Sequence, residues 1–581
     1  MATRSSRPLP TSMAAELHLF GDRRTGSAER ALAVLLCLYL AAITVWPLGQ
    51  LLVAAFRPGD DGAALGVMRD TLSARATGRA FRNTLVLSLI SVGVSVLLGG
   101  ALALAVGLLR MRWRAALSFL ILMPLVIPSQ TLALSWIELM GANSAILKPL
   151  GLAPPPGRGN PLYSPLGIAL VMGIEHMPLV FIAIHAALKS VPADLIEAAR
   201  LAAIPPRLVL TRVILPLTYP SVLAGGLLAF TAAVGNFGIP ALLGIPGRVP
   251  MLTTLIYQRL NSFGPSAAGQ VAVLALILTL MAVAALALRA VLLRHLRLRV
   301  EAGRPHTPTR NAPAWAQALI WAVVLAIAIL PLAALVLTSL TPAIGVPFSL
   351  QVASLDQYHR VLANPAVLRG FSNSLILSLA AALICALIAL PLAYLVARRP
   401  SPAIALADLL AEAPWVVPGT VVALAMILAF LPPLPLIGVS LYGSMAIILI
   451  AYLARFLPLI LRPVVATARG GDPMQDQAAR IAGIGLAGRI AHVFAPSVRA
   501  ATLAGAILIV MSAMNELTLS ALLWSSGHET IGVMVFSLQY EGSSTAAAAV
   551  SVLSTALLLA LCALAELALG PRAAQALPWR G

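Results

Sequence analysis

Glu516 lies in Asn515-Glu516-Leu517-Thr518, an acid in the middle of a long apolar run. An ionisable side chain is expensive in such a setting and is kept where it has a task. A carboxylate there can brace a neighbouring helix through hydrogen bonds, or hold a hard cation briefly through oxygen. Asn236, in Gly235-Asn236-Phe237-Gly238, has the matching place: it follows Pro216 by 20 residues, as Glu516 follows Pro496. Asn236, Phe237, Asn515 and Glu516 are therefore the candidate lining of a polar route, expected at the middle of a helix in each half. A buried acid that only ties two helices together is the alternative reading of Glu516. Glu175-His176 and Arg455-Phe456 form a second matched pair. An ion pair between Glu175 and Arg455 is one reading of it, and helix packing is the favoured one.

Other chemistry is missing. The eight histidines are scattered, without a metal-ligand or acid–base spacing. Cys37, Cys385 and Cys562 sit apart in apolar runs, where a thiol usually serves as a small packing group. A phosphate-binding loop of the form G-x-x-x-x-G-K-[ST] needs a suitably placed lysine. Lys148 and Lys189 have neither the glycine before them nor the frame required. No catalytic, cofactor-binding or metal residue is assigned.

The elements that must hold these residues are membrane helices. Of 581 residues 60% are apolar and 10% charged, and mean hydropathy is +0.95, against about 25% charged in soluble domains. Runs of the roughly 20 apolar residues that span a bilayer recur along the chain. The reading is all-α with twelve spans, near 31–56, 82–109, 115–140, 165–188, 215–243, 267–290, 316–340, 372–397, 403–430, 442–465, 496–525 and 546–569. A net charge of +19 would suggest nucleic acid in a soluble protein. Here the basic clusters Arg110–Arg114, Arg294–Arg299 and Arg398-Arg399 fall in alternate loops. That is the pattern of loops facing the cytoplasm, so no nucleic-acid partner is inferred and both termini are placed inside. Arg57, Arg69, Arg75, Arg79 and Arg82 fit this least well, since they fall in the first outer loop.

The chain also repeats itself. Phe81-Arg82-Asn83-Thr84-Leu85 matches Phe371-Ser372-Asn373-Ser374-Leu375, and Pro124-Leu125-Val126-Ile127-Pro128 matches Pro414-Trp415-Val416-Val417-Pro418, both 290 residues on. By Pro178 and Pro458 the offset is 280, which puts about ten extra residues in the outer loop Gly141–Leu162. The division is a tail 1–30, a first repeat 31–293, a linker 294–314, a second repeat 315–570 and a tail 571–581. Six spans per repeat keep the two halves parallel, about an axis along the membrane normal.

Two polar segments, 192–214 and 472–494, interrupt the apolar pattern. The first holds Glu197-Ala198-Ala199, then Ala203, with Pro216 just beyond it. The second holds Gln477-Ala478-Ala479, then Gly483, with Pro496 beyond. In each copy 19 positions separate the first residue from the proline. This resembles the cytoplasmic EAA loop of ATP-binding-cassette (ABC) importer permeases, where the ATPase subunits dock. That family places glycine in the turn between two short helices. Gly483 keeps it, whereas Ala203 does not, and Pro205-Pro206 is expected to break the helix there instead. The small residues Ala198, Ala199, Ala202 and Ala203 are expected to form a face that a partner can approach closely.

Double-length chains of this family resemble permeases for ferric iron, with thiamine, phosphonate and polyamine relatives. Gly235–Gly244 and Glu516–Trp524 look most like the ferric iron members. The resemblance implies a permease of the bacterial cytoplasmic membrane, working by alternating access with two ATPase subunits and an extracytoplasmic binding protein. A secondary transporter is the rival class. It would carry a charged signature loop between helices two and three, for which Arg110–Arg114 is too short and lacks an acid.

Overall fold

The computed structural model describes residues 26–296 and 310–569, apart from 59–61, 64, 156, 262–266 and 435–437. Most of the tail 1–30, the middle of the linker 294–314 and the tail 571–581 lie outside the described residues. The first repeat runs α1 (Ser27–Ala55), α2 (Gly66–Ser73), α3 (Arg75–Leu108), α4 (Arg114–Val126), α5 (Ser129–Met140), α6 (Pro165–Lys189), α7 (Ala193–Leu201), α8 (Pro206–Gly235), α9 (Leu252–Leu260) and α10 (Ala267–His295). The second runs α11 (Ala314–Ser339), α12 (Asp356–Ala363), α13 (Pro365–Arg398), α14 (Pro402–Val416), α15 (Gly419–Phe430), α16 (Met445–Gly470), α17 (Met474–Ile481), α18 (Leu486–Met514), α19 (Ser520–Leu523), α20 (Ile531–Tyr540) and α21 (Ser544–Leu569). Element by element the halves correspond, with the offset changing from 290 to 280 across the outer loop after α5 and α15. Leu109–Arg110 pairs in parallel with Arg310–Asn311, a short two-strand tie between the halves.

Among the described residues ten helices are long and apolar enough to cross a membrane, or twelve if each of two bent pairs counts as one span. Those pairs fall within the expected spans 115–140 and 403–430 and put a sharp bend in each. α4 and α5 meet at 104°, and α14 and α15 at 110°. A proline crowds the residue before it out of helical geometry. Ile127 before Pro128 has ψ 132°, and Val417 before Pro418 has ψ 135°. α3 also begins seven residues before the expected span, so Arg75, Arg79 and Arg82 ride on its first turns rather than in a loop.

Each repeat's first helix packs on the other repeat's broken pair. Leu36, Leu40 and Leu51 of α1 share a core with Ile404 of α14 and Val421 of α15. Val324, Ile327 and Ala334 of α11 share one with Leu117 of α4 and Leu132 of α5. Lipid tails are as apolar as leucine, so burial alone does not drive helices together in a bilayer; close van der Waals contact between small residues does. Gly505 of α18 accordingly lies where a Cβ would be 2.5 Å from the Ile460 Cα, and Gly225 of α8 where it would be 3.1 Å from the Val180 Cα.

Candidate functional site

A cavity of about 460 Å³ lies between the repeats. Its walls are the α4–α5 break with Pro128, Ser129 and Gln130, Glu175 of α6, Trp415 at the end of α14, and Asn515–Thr518 after α18. Pro128, which bends the first pair, thus lines it directly, and the second pair contributes Trp415 just before its own bend.

The fifth long helix of each half stops earlier than expected, which moves the paired polar residues from mid-helix to the helix end. α8 ends at Gly235, with Asn236 extended at φ −67°, ψ 132°, and α18 ends at Met514, with Asn515 at φ −119°, ψ 24°. Away from water the freed backbone groups need partners. Glu516 supplies them: its carboxylate accepts the Leu519 N–H at 2.9 Å and the Ser520 N–H at 3.1 Å, so it starts α19. Asn236 does the same in its half, accepting the Ile239 N–H through Oδ1 at 3.2 Å. Its Nδ2 donates to Glu175 Oε2 at 2.6 Å, and Ser129 Oγ donates to the other carboxylate oxygen.

The Glu175–Arg455 pair does not form. Arg455 donates to the Pro414 and Val417 carbonyls, at 3.0 and 2.5 Å, and its guanidinium lies 5.5 Å from the Trp415 ring centroid. It thereby satisfies the carbonyls freed at the second break. The matched positions differ in their partners: an acid on α6 faces an amide, and a base on α16 holds backbone carbonyls. Phe237 leaves the candidate route, being 1% exposed and packed against Tyr257 and Phe536. Asn236 is likewise buried behind Glu175. Asn515 and Glu516 do line the cavity. Ser129 and Gln130 were not singled out from the sequence; their signal was the position directly after a helix-breaking proline. Gln130 Nε2 donates to the Asn515 carbonyl at 3.0 Å and links the two halves across the cavity wall.

At the far ends of the helices, α7 and α17 present one pattern twice. Ile196 and Ala199, and at the same places Asp476 and Ala479, turn inward and are buried. Glu197, Ala198, Gln477 and Ala478 face out. Leu201 and Ile481 are each 89% exposed, and Ile204 and Ile484 stand next to them. So the alanines do not act as one open face: Ala199 and Ala479 seat the helix on the permease body, and the outward tip is a large apolar side chain.

Each helix ends in the same closure, with the Ile204 N–H on the Ala199 carbonyl and the Ile484 N–H on the Ala479 carbonyl, both at 3.0 Å. This closure requires a left-handed residue. Gly483 takes φ +75°, and Ala203 takes φ +53°. The proline pair therefore does not replace the glycine turn. Ala203 makes the turn, Pro205 leads out of it, and Pro206 starts α8 at a position that tolerates the lost N–H. α8 and α18 then continue through wider turns at Leu210–Ile214 and Arg489–Phe494 before Pro216 and Pro496, so neither polar segment is loop throughout. A left-handed alanine costs about 1 kcal/mol, so Ala203→Gly should raise the melting temperature of the purified chain. Gly483→Val should lower it; a Cβ there has open space, and the penalty, about 2 kcal/mol with β-branching, lies wholly in the backbone.

Residues 95–298 match the family described as binding-protein-dependent transport system inner membrane component. A probable ABC transporter permease protein of Sinorhizobium fredii, y4fN, is 30% identical over 366 residues, covering 61% of this chain and 63% of that protein. A putative 2-aminoethylphosphonate transport system permease protein of Salmonella paratyphi A, PhnU, is 25% identical over 38% of this chain and 77% of its own length. A probable sulfate transport system permease protein of Marchantia polymorpha, cysT, is 28% identical over 20% of this chain and 42% of its own length. The match thus spans just under two thirds of the Sinorhizobium protein. Over these stretches the chain is similar to ABC transporter permeases, and its described residues form an all-α fold rich in apolar helices.

Proposed function

We propose that this homologue of ABC permeases is the membrane subunit of an ATP-driven, binding-protein-dependent importer in a bacterial cytoplasmic membrane. The observation that carries this is the duplicated pair α7 and α17, with one exposed apolar tip each, Leu201 and Ile481, at equivalent positions of the repeat. Two tips on one side fit two ATPase subunits. A binding protein loaded with cargo would dock at the opposite face, and ATP-driven closure of the subunits would move α7 and α17. Each ligand shifts the permease between inward- and outward-facing states by its differential affinity. Both termini and both helices are cytoplasmic in this reading.

The cargo we propose is ferric iron. Glu175 and Glu516 contribute carboxylates to the cavity, and no lysine or arginine is among its described lining residues. Carboxylate oxygen suits a hard cation, and the hydrogen bonds already made by both acids favour passage over storage. The names of the Salmonella and Marchantia relatives favour a second reading, a phosphonate or sulfate cargo. Glu516→Gln separates them. It keeps an oxygen for the Leu519 N–H and removes the charge, worth about 1.5–3 kcal/mol for a charged contact. Uptake of labelled ferric iron should fall about tenfold or more, with normal amounts of protein in the membrane. Unchanged iron uptake with a saturated binding protein, or faster uptake of 2-aminoethylphosphonate, would overturn the iron assignment.

A further inference from the structure

The two coupling helices carry the same exposed face and have opposite chemistry beneath it. Under α7 the seat is apolar: Ile196 and Val209 share one core cluster with Ala312 of the linker, and Leu104 and Leu109 pack against it. The equivalent positions under α17 are Asp476, Arg489, Tyr394 and Arg399. They form a buried ion network, joined by a fifth residue, Glu29 of α1. Arg489 reaches Glu29 Oε1 at 3.0 Å, Asp476 Oδ1 at 3.4 Å and the Tyr394 hydroxyl at 2.7 Å. Arg399 reaches Glu29 at 3.3 Å and Asp476 Oδ2 at 3.6 Å. The Tyr394 hydroxyl donates to Asp476 at 2.9 Å. The Glu29 side chain is 3% exposed and that of Arg489 7%.

Glu29 belongs to the first repeat, and it is held in turn by the Gly26 N–H at 3.1 Å. α1 continues from it onto α14 and α15 of the second repeat. The second coupling helix is thus joined by charge to α1, while the described side chains beneath the first coupling helix offer it apolar contact. Buried ion pairs add little net stability compared with apolar packing. What they add is geometry: two carboxylates and two guanidiniums fit together in one arrangement, whereas apolar side chains slide.

We infer that Glu29 is a positioning residue that locks α17, and not α7, to the permease body, so the two coupling helices are mechanically unequal. The inference rests on the reading of α7 and α17 as the coupling helices, but its test needs no ATPase. Spin labels would be placed singly through Leu201→Cys or Ile481→Cys, in a full-length chain carrying Cys37→Ala, Cys385→Ala and Cys562→Ala, purified into lipid nanodiscs. Adding Glu29→Gln leaves Arg489 and Arg399 short of one carboxylate. The label at position 481 should lose its immobilised spectral component, while the label at 201 keeps its own. Glu29→Asp, which retains the charge, should keep both labels immobile. If both labels loosen together, or neither does, the lock is refuted. Should Glu29→Gln fail to give a monodisperse chain, Arg399→Gln removes the more exposed cation and is read by the same two outcomes. Failure of this test leaves the docking of ATPases at Leu201 and Ile481 untouched, and loss of that docking leaves the spectra unchanged.

Discussion

A chain carrying both Leu201→Asp and Ile481→Asp should enter the membrane and purify normally, yet bind the proposed ATPase subunits about a thousandfold more weakly. Both side chains are almost fully exposed, so their replacement removes no contact inside the permease. A large apolar tip that fills a pocket on a partner is worth about 2 kcal/mol or more, and two of them give the thousandfold at about 1.4 kcal/mol per decade. A carboxylate adds the cost of entering an apolar pocket uncompensated. Co-purification with the co-expressed ATPase, and ATP hydrolysis stimulated by loaded binding protein, are the measurements. Wild-type complex from the double variant would show that the subunits grip some other surface. The matching changes Glu197→Ala and Gln477→Ala remove polar groups beside the tips and should be milder.

Gly505→Val should have the largest effect on assembly. Its Cβ would meet the Ile460 Cα at 2.5 Å and the Ile460 Cβ at 2.8 Å. A backbone atom cannot turn aside as a side chain would, so α16 and α18 must separate. Overpacking of this kind costs about 3 kcal/mol, and the separated helices carry Arg455 and lead into Glu516, so the second wall of the cavity goes with them. We expect little monodisperse protein after extraction. Gly93 is the control, for it too lies within a membrane helix but has nothing within 4 Å of its would-be Cβ. Gly93→Ala should be neutral or slightly stabilising, by the better helix propensity of alanine. Equal yields of the two variants would mean that α16 and α18 do not pack as closely as described.

The residues of this chain determine on their own that it is a bundle of membrane helices built from one unit used twice. Apolar runs of spanning length and two register-matched motifs are local properties, and they survive any rearrangement of the helices around them. For the same reason Glu197-Ala198-Ala199 and Gln477-Ala478-Ala479 could be paired before any packing was known. Tertiary structure decided which way those motifs face. Ala199 and Ala479 are chemically fit for either side, and only the body beneath them, apolar under one and ionic under the other, makes them the seat and makes Leu201 and Ile481 the tips. It also decided that Asn236 and Glu516 end helices rather than interrupt them. Hydropathy is continuous across Gly235 and Met514, so nothing in the run marks a stop. The stop becomes tolerable because Glu175 and Gln130, distant in sequence, hold the Asn236 amide and the Asn515 carbonyl that lie at it. A charge far along the chain has no address in a linear pattern, and its partner is known only once the helices are packed.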